Sequence, residues 1–329
     1  MSKVCILGPG SWGTTLAVHL ATAGHEVRLW GHDARELAAL GADRENRKFL
    51  PGIMLPDGVK VCPELESALS GVEVSLFVVP SQVMGEVARR VRIAGACGIP
   101  VCASKGLEQG SLRRMSEILI GELGDAEPVV LTGPSHAEEV SQGIPTSVVA
   151  ASVSRERAQA VQELCSTGRL RVYTNNDVVG CEIGAALKNV IAIAAGVCDG
   201  IGFGDNTKGA LLTRGLAEIA RLGVALGGRR ETFFGLAGMG DLIATAMSRH
   251  SRNRWVGERL GRGETIEQVL GAMVMVAEGV HTARAARDLG REHDVELPIT
   301  EQVCAMLFEQ RSPREALQAL MTRNLKRED

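Results

Sequence analysis

The sequence predicts an α/β domain with a doubly wound, mostly parallel sheet, followed by an all-α domain. In the first half, short runs rich in β-branched residues alternate with helical stretches. Several of these runs are continuously apolar, as expected for strands that are covered on both faces. Beyond residues 175–180 only helical patterns follow. We therefore expect two domains, residues 1–178 and residues 179–329.

Seven strands are predicted in the first domain. They cover residues 4–7, 26–30, 74–79, 100–103, 129–131, 147–150 and 170–173. A helical stretch at residues 12–23 separates the first two strands. Strand, helix and strand at this spacing form a βαβ unit, which implies parallel pairing.

The second domain begins with a helix that lacks a polar face. Residues 181–198 are nearly all apolar or small, which indicates a central buried helix. Further helical patterns cover residues 207–226, 279–293 and 298–310. The last helix has a defined start, because Ser312 can cap it, Pro313 suits the first helical position and Glu315 completes a capping box.

Composition and charge exclude several classes of protein. The chain has 329 residues, of which 45% are hydrophobic and 23% charged, as in ordinary globular proteins. Its net charge of -3 offers no broad basic field for nucleic acid or an anionic membrane. No secretory signal and no apolar run of ~20 residues is evident, so no membrane span is expected. The eight cysteines contain no CxxC pair, which predicts reduced thiols in a cytoplasmic protein and no metal site.

A glycine-rich turn, Gly-Pro-Gly-Ser-Trp-Gly at residues 8–13, is the first motif that carries chemistry. It follows the first strand and opens the first helix, which is the context that makes a GxGxxG pattern specific for dinucleotides. Gly8 permits the tight turn, Gly10 lets the backbone approach a pyrophosphate, and Gly13 lets helix and strand pack closely. The anion would lie at a helix N-terminus. A Rossmann-like domain that binds NAD or NADP is therefore expected.

The end of the second strand leaves the choice between NAD and NADP open. An acidic residue commonly stands there to bind the ribose 2′-hydroxyl of NAD, but this chain has Gly31. Asp33 comes slightly later, and Arg35 is placed to meet a 2′-phosphate. His32 is a candidate contact for the adenosine end, with a solvated loop histidine as the equal alternative.

Lys188 interrupts the apolar helix of the second domain. A charged side chain in such a setting is costly unless it is paired or functional. Desolvation can lower the pKa of a lysine toward ~7–8, which suits general acid/base catalysis. Reduction of a ketone requires a proton on oxygen, which Lys188 can supply, and Asp241 is the candidate partner that orients it. A snorkelling structural lysine is the alternative.

Two further groups of polar residues fit a ligand site. Lys105 and the Thr-Gly-Pro-Ser turn at residues 132–135 follow predicted strands, and ligands of open α/β sheets bind beyond the carboxyl ends of strands. Arg252 and Asn253 are candidates for holding a phosphate through charge-assisted hydrogen bonds. Taken alone, each of these segments is also typical of a plain turn or polar loop.

Together these motifs resemble the bacterial-type NAD(P)-dependent glycerol-3-phosphate dehydrogenase family. The matching segments cover nearly the whole chain in order: residues 8–17, 24–27, 104–107, 133–135, 186–192, 200–207, 213–216, 240–242, 251–254 and 278–279. The resemblance implies reversible reduction of dihydroxyacetone phosphate to sn-glycerol 3-phosphate with NADH or NADPH, supplying glycerophospholipid biosynthesis. No nucleic-acid partner is expected, and a homodimer is the candidate assembly.

The resemblance also implies roles for individual residues. Lys188 would be the catalytic residue, accepting the proton when the alcohol is oxidised. Substrate contacts would come from Lys105, Gly133, Ser135, Lys188, Asp241, Ser251, Arg252 and Asn253. Cofactor contacts would come from Gly8, Gly10, Ser11, Trp12, Gly13, His32, Lys105, Ala137, Arg252, Val276 and Glu278. His136, directly after the Gly-Pro-Ser motif, has no implied role.

Three other functions remain as alternatives from the sequence. A different β-hydroxyacid-type dehydrogenase would share both domains and the lysine, but Arg252 and Asn253 favour a phosphorylated substrate. A non-catalytic dinucleotide sensor would leave Lys188 and Asp241 unexplained. A nucleic-acid-binding redox sensor would need a basic segment that the sequence lacks.

Overall fold

The chain folds into an eight-stranded sheet with helices on both faces, followed by a bundle of helices. The structure is a computed structural model that describes residues 1–95, 97–124, 126–325 and 327. The last positions of the predicted second domain, Lys326, Glu328 and Asp329, lie outside the described residues.

The sheet has the strand order β3-β2-β1-β4-β5-β6-β7-β8. Its strands are β1 (Lys3–Leu7), β2 (Glu26–Trp30), β3 (Val59–Val61), β4 (Val74–Phe77), β5 (Ile99–Cys102), β6 (Val129–Thr132), β7 (Thr146–Ala151) and β8 (Leu170–Asn175). Neighbouring strands are parallel except for β6 and β7, which run antiparallel. The predicted mostly parallel sheet is therefore confirmed. From β1 the chain continues to β2 and β3 on one side, and from β4 it continues to β5 on the other. The strand order therefore reverses between β1 and β4, and ligands of open α/β sheets bind at such a point.

Seven helices cover the two faces of the sheet. They are α1 (Ser11–Thr22), α2 (Ala34–Asp43), α3 (Leu65–Leu69), α4 (Met84–Ala94), α5 (Met115–Leu123), α6 (Ala137–Ser141) and α7 (Arg155–Cys165). Strand β1 shows why a doubly wound sheet needs continuously apolar strands. Val4 and Ile6 pack in the core on one face, Cys5 and Leu7 pack in the core on the other, and all four are fully buried.

The rest of the described chain is helical. Asp177 caps the first of these helices. They are α8 (Val178–Ile201), α9 (Asp205–Ala225), α10 (Asp241–Met247), α11 (Arg252–Gly261), α12 (Ile266–Gly271), α13 (Glu278–Glu292), α14 (Pro298–Phe308) and α15 (Pro313–Met321). The expected all-helical second part is thus confirmed. The predicted start of the last helix is also confirmed, because Ser312 and Glu315 form the capping box.

Helix α8 is the centre of the helical part. It has the length and apolar composition of a membrane span, but 89% of its most apolar 18-residue window is buried inside the protein. Helices α9, α10, α11, α13 and α14 pack around it. Burial on all sides explains why the sequence shows no polar face between residues 181 and 198.

The observed strands differ from the predicted strands in two places. Strand β3 was not predicted, because three residues, Val-Lys-Val, at the edge of the sheet are too short for a clear pattern. The predicted strand at residues 74–79 ends at Phe77, since the chain then turns into a short 3-10 helix at Ser81–Val83. The other strand predictions match the observed strands to within two residues at each end.

Candidate active site

A buried cluster of two lysines and one aspartate lies where the sheet meets the helical part. Lys105 follows β5, Lys188 lies in the middle of α8, and Asp241 is the first residue of α10. The carboxylate of Asp241 receives both lysines: Lys188 Nζ lies 2.8 Å from Oδ1, and Lys105 Nζ lies 2.7 Å from Oδ2. The predicted pairing of Lys188 with Asp241 is present, whereas the second lysine on the same carboxylate was not anticipated.

The cluster leaves donor capacity on both lysines. Lys188 also donates to the hydroxyl of Thr245, one turn after Asp241, over 2.5 Å, and Thr245 donates to Asp241 over 3.2 Å. Lys105 donates to the carbonyl of Gly133 over 2.9 Å. An ammonium group has three donors. Each lysine therefore keeps one N–H that its neighbours in the cluster do not use.

Burial sets the protonation behaviour of the cluster. Only 7% of the Lys188 side chain and 2% of the Asp241 side chain are exposed. Burial lowers the pKa of Lys188 to about 8, although the charge of Asp241 counteracts part of that effect. Burial alone would raise the pKa of Asp241, but Lys105 and Lys188 outweigh it and hold that pKa below its ordinary value. At neutral pH the aspartate is ionised, and Lys188 can gain or lose a proton near physiological pH.

The turn at residues 8–13 has the geometry expected of a pyrophosphate site. A Cβ on Gly8 would lie 2.4 Å from the carbonyl oxygen of Val78, and a Cβ on Gly13 would lie 1.9 Å from that of Gly8. At Gly10 a Cβ would meet no atom within 4 Å. Within the described residues, the N–H groups of Gly10, Ser11 and Trp12 donate no hydrogen bond. Open space beside free donors at a helix N-terminus fits an anionic group.

No acidic residue stands directly after β2, where one would hold the ribose. A Cβ on Gly31 would lie 2.7 Å from the ring of Pro9, so the turn excludes a side chain at that position. The carboxylate of Asp33 caps α2 by accepting from the N–H groups of Arg35 and Glu36. His32 is exposed, and its side chain makes no hydrogen bond within the described chain.

The first turn of α11 lies against the start of α13 and the middle of α8. Ser251 caps α11, and Arg252 donates to the carbonyl of Val276 over 2.7 Å. Asn253 is buried, donating to Asn189 and accepting from the N–H of Gly279, each over 2.9 Å. Much of the Asn253 side chain is therefore used to hold helices together.

The remaining predicted site residues are Glu278, at the start of α13, and Ser135 and Ala137, which follow β6. Glu278 accepts from the backbone N–H of Ser81 over 3.1 Å and from its hydroxyl over 2.5 Å. Ser135 donates to Gly133, and the carbonyl of Ala137 accepts from Thr15 in α1. His136 contacts the carbonyl of Ala244 in α10 over 3.2 Å, and burial lowers the pKa of its ring.

The structure brings most of the predicted site residues into three connected groups. Lys105, Lys188, Asp241 and Gly133 form one group. In the second group, Thr15 links the turn at residues 8–13 to Ala137, because its hydroxyl donates to the carbonyls of Ser11 and Ala137. Ser251, Arg252 and Asn253 with Val276 and Glu278 form the third. His32 shares no hydrogen bond with these groups within the described part of the chain.

Sequence reasoning missed four polar residues at the site: Thr245, Asn189, Ser81 and Asn46. Thr245 lies four residues after Asp241, so helical spacing alone places it on the same face. Asn189 directly follows Lys188. Ser81 and Asn46 reach the site only through tertiary contacts.

Comparison with known proteins supports a dehydrogenase site. The protein-family model for the N-terminus of NAD-dependent glycerol-3-phosphate dehydrogenase matches residues 3–158. The family model for the C-terminus of that enzyme matches residues 177–318. The chain is 50% identical to glycerol-3-phosphate dehydrogenase [NAD(P)+] of Pelodictyon phaeoclathratiforme over 99% of both chains. It is 50% identical to the protein of the same name from Desulfitobacterium hafniense, over 100% of this chain and 93% of that one. The crystal structure of glycerol-3-phosphate dehydrogenase from Coxiella burnetii superposes with a TM-score of 0.95 at 38% identity, covering 98% of this chain and 99% of that one.

Proposed function

Because this chain belongs to the NAD-dependent glycerol-3-phosphate dehydrogenase family, we propose that Lys188 moves the proton in its reaction. The protein is an NAD(P)-dependent oxidoreductase that reversibly reduces dihydroxyacetone phosphate to sn-glycerol 3-phosphate. The observation that carries the proposal is the single buried carboxylate of Asp241 shared by Lys188 and Lys105.

Lys188 delivers the proton through the donor that its neighbours leave free. The nicotinamide ring supplies the hydride to the carbonyl carbon when the reduced cofactor is bound. Negative charge then develops on the substrate oxygen, and an ammonium group close to that oxygen stabilises the charge and gives up its proton. In the oxidation direction, neutral Lys188 accepts the hydroxyl proton. A pKa of about 8 lets one side chain serve both directions near neutral pH.

Asp241 and Thr245 hold Lys188 in a defined place. Asp241 fixes one N–H of Lys188, and Thr245 fixes a second, so the third has a restricted direction. Lys105 reaches the same carboxylate from the end of β5 and carries a second positive charge into the site. We expect Lys105 to contact both substrate and cofactor, with Gly133 and Ser135 lining the substrate site.

The substrate phosphate would bind at the start of α11. Arg252 presents a guanidinium group there, and the N–H groups of Arg252 and Asn253 donate no hydrogen bond within the described residues. Ser251 contributes a hydroxyl at the same helix end. Positive charge and free donors at a helix N-terminus suit a phosphate. We assign this group to the substrate phosphate, with Arg252 also reaching the cofactor.

The dinucleotide would extend along the carboxyl edge of the sheet. Gly8, Gly10, Ser11, Trp12 and Gly13 would hold its pyrophosphate. We assign His32 to the adenosine end of the dinucleotide. The rest of the dinucleotide would be contacted by Lys105, Ala137, Arg252, Val276 and Glu278.

We also propose a domain boundary, a cellular location and an oligomeric state for the protein. We place the domain boundary at residue 178, supported by α8, which begins there. The enzyme would act in the cytoplasm, where its eight free thiols remain reduced, and would supply glycerophospholipid biosynthesis. A homodimer is the proposed assembly.

One assay tests the proposed activity. Oxidation of NADH and of NADPH is followed at saturating dihydroxyacetone phosphate, with unphosphorylated dihydroxyacetone and a 3-keto acid as controls. We expect turnover with dihydroxyacetone phosphate and none with either control substrate. Turnover only with the keto acid would assign the chain to a β-hydroxyacid-type dehydrogenase, and binding of NADH without turnover would indicate a sensor.

A further inference from the structure

Asn46 contacts the glycine-rich turn from a segment that none of the site assignments includes. It lies between α2 and β3, and only 7% of the residue is exposed. Its side-chain nitrogen donates to the carbonyl oxygen of Pro9 and to the hydroxyl of Thr14, each over 2.7 Å. Both partners belong to the turn and first helix that would receive the pyrophosphate. Asn46 therefore contacts the glycine-rich turn from a buried position.

The surrounding segment places Asn46 firmly before any ligand binds. Its side-chain oxygen accepts from the N–H of Phe49, and its carbonyl accepts from the N–H of Leu50, which is buried. At the base of the segment, the guanidinium group of Arg44 donates to the carbonyls of Leu55, Pro56 and Val59. The Asn46 side chain is thus fixed at both its amide nitrogen and its amide oxygen.

Holding the carbonyl of Pro9 also orients the N–H of Gly10. The two groups belong to one planar trans peptide, so they point in opposite directions. With the carbonyl turned toward Asn46, the Gly10 N–H is directed away from the protein interior. That is the side on which a Cβ of Gly10 would meet no atom within 4 Å. Proline has no N–H of its own, so the turn depends on the donors that follow it.

We propose that Asn46 is a positioning residue for dinucleotide binding, which fixes the Pro9–Gly10 peptide so that the Gly10 N–H donates to the pyrophosphate. The inference rests on the proposed use of a nicotinamide dinucleotide. Asn46 touches neither the reacting atoms nor the lysine cluster, so it acts on affinity for the dinucleotide. A fixed donor binds more tightly than a mobile one because its ordering cost is met during folding.

The donor function of Asn46 can be separated from its role in the fold. Asn46→Asp preserves size and still accepts from Phe49 N–H, but its ionised carboxylate places an acceptor opposite the Pro9 carbonyl. Asn46→Ala removes the donor without adding a charge. Thr14→Val removes the second partner and keeps a β-branched side chain. Asn324→Asp makes the matched chemical change at an exposed position.

The measurements are the Kd values of NADH and NADPH by tryptophan fluorescence, the KM and kcat values, and the melting temperature. Both Asn46 variants should raise the Kd and KM of each dinucleotide about 10- to 100-fold, which corresponds to the loss of a charge-assisted hydrogen bond. The kcat at saturating cofactor and the KM for dihydroxyacetone phosphate should stay within about threefold. Thr14→Val should have a smaller effect in the same direction, and Asn324→Asp should have none.

Several outcomes would overturn the inference. Dinucleotide affinities within twofold of the unaltered protein in folded Asn46→Ala would do so, as would weakened binding in Asn46→Asp alone, because charge would then be the cause. A second measurement does not depend on variants: NADH should slow hydrogen exchange at the Gly10 amide of the unaltered protein, and unchanged exchange on binding would contradict the proposal. Failure of the unaltered protein to bind either dinucleotide would instead refute the proposed function.

Discussion

Lys188 and Asp241 form a buried ion pair, with 2.8 Å between Nζ and Oδ1. The second oxygen of the same carboxylate receives Lys105, so one negative charge faces two positive charges. Buried charges are costly when they remain uncompensated. The arrangement therefore leaves excess positive charge at the point where we propose that the substrate oxygen becomes negative.

Asp241→Asn should shift the pH dependence of turnover. Reduction requires protonated Lys188, so in the unaltered enzyme the rate of reduction falls as pH rises through about 8. Without the carboxylate the pKa of Lys188 drops further, because burial and Lys105 are no longer opposed. The pH profile of kcat for reduction should move to lower pH, with a smaller loss of kcat than removal of Lys188 causes. An unchanged profile would show that Asp241 does not tune the lysine.

Arg252→Ala should weaken binding of the phosphorylated substrate. A lost charge-assisted contact is worth roughly 1.5–3 kcal/mol, so KM for dihydroxyacetone phosphate should rise about 10- to 150-fold. Arg249→Ala removes an exposed arginine three positions earlier and is the matched control. If the KM of Arg252→Ala equals that of the control, Arg252 is a surface residue of α11 without a role in phosphate binding.

Both NADH and NADPH should serve as cofactor. Gly31 leaves no acid directly after β2, and the carboxylate of Asp33 is used to cap α2. Arg35 is exposed on α2, and no hydrogen bond or ion pair within the described residues fixes its side chain against a phosphate. The ratio of kcat/KM for the two cofactors should stay below ~10³, or about 4 kcal/mol. A larger preference would mean that residues 31–35 hold the ribose in another way.

The sequence contained enough local information for the fold class and for the central ion pair. Continuously apolar strands predicted the doubly wound sheet, and a lysine in an apolar helix predicted a buried partner for Lys188. Local patterns could not show that Lys105 shares that partner, because residues 105 and 241 are distant in the chain. The same limit applies to Asn46, whose two contacts lie 32 and 37 residues away. Strand β3 was missed for a different reason: three residues are too few to show a period.

Whether Lys188 transfers the proton can be measured from the kcat of the Lys188→Met variant. Methionine keeps the length and apolar body of the side chain but has neither charge nor proton. The control is Lys60→Met, which makes the same change at an exposed position of β3. Both variants must bind NADH with unaltered affinity, since the proposed pyrophosphate site at residues 8–13 is separate from Lys188.

The measurement is kcat for reduction of dihydroxyacetone phosphate by folded Lys188→Met at saturating NADH. We expect kcat to fall ~10²–10⁴-fold, the usual contribution of a general acid, and Lys60→Met to keep full activity. Turnover by Lys188→Met within a few-fold of the unaltered enzyme would show that Lys188 is not the proton donor, and Lys105 would be the next candidate.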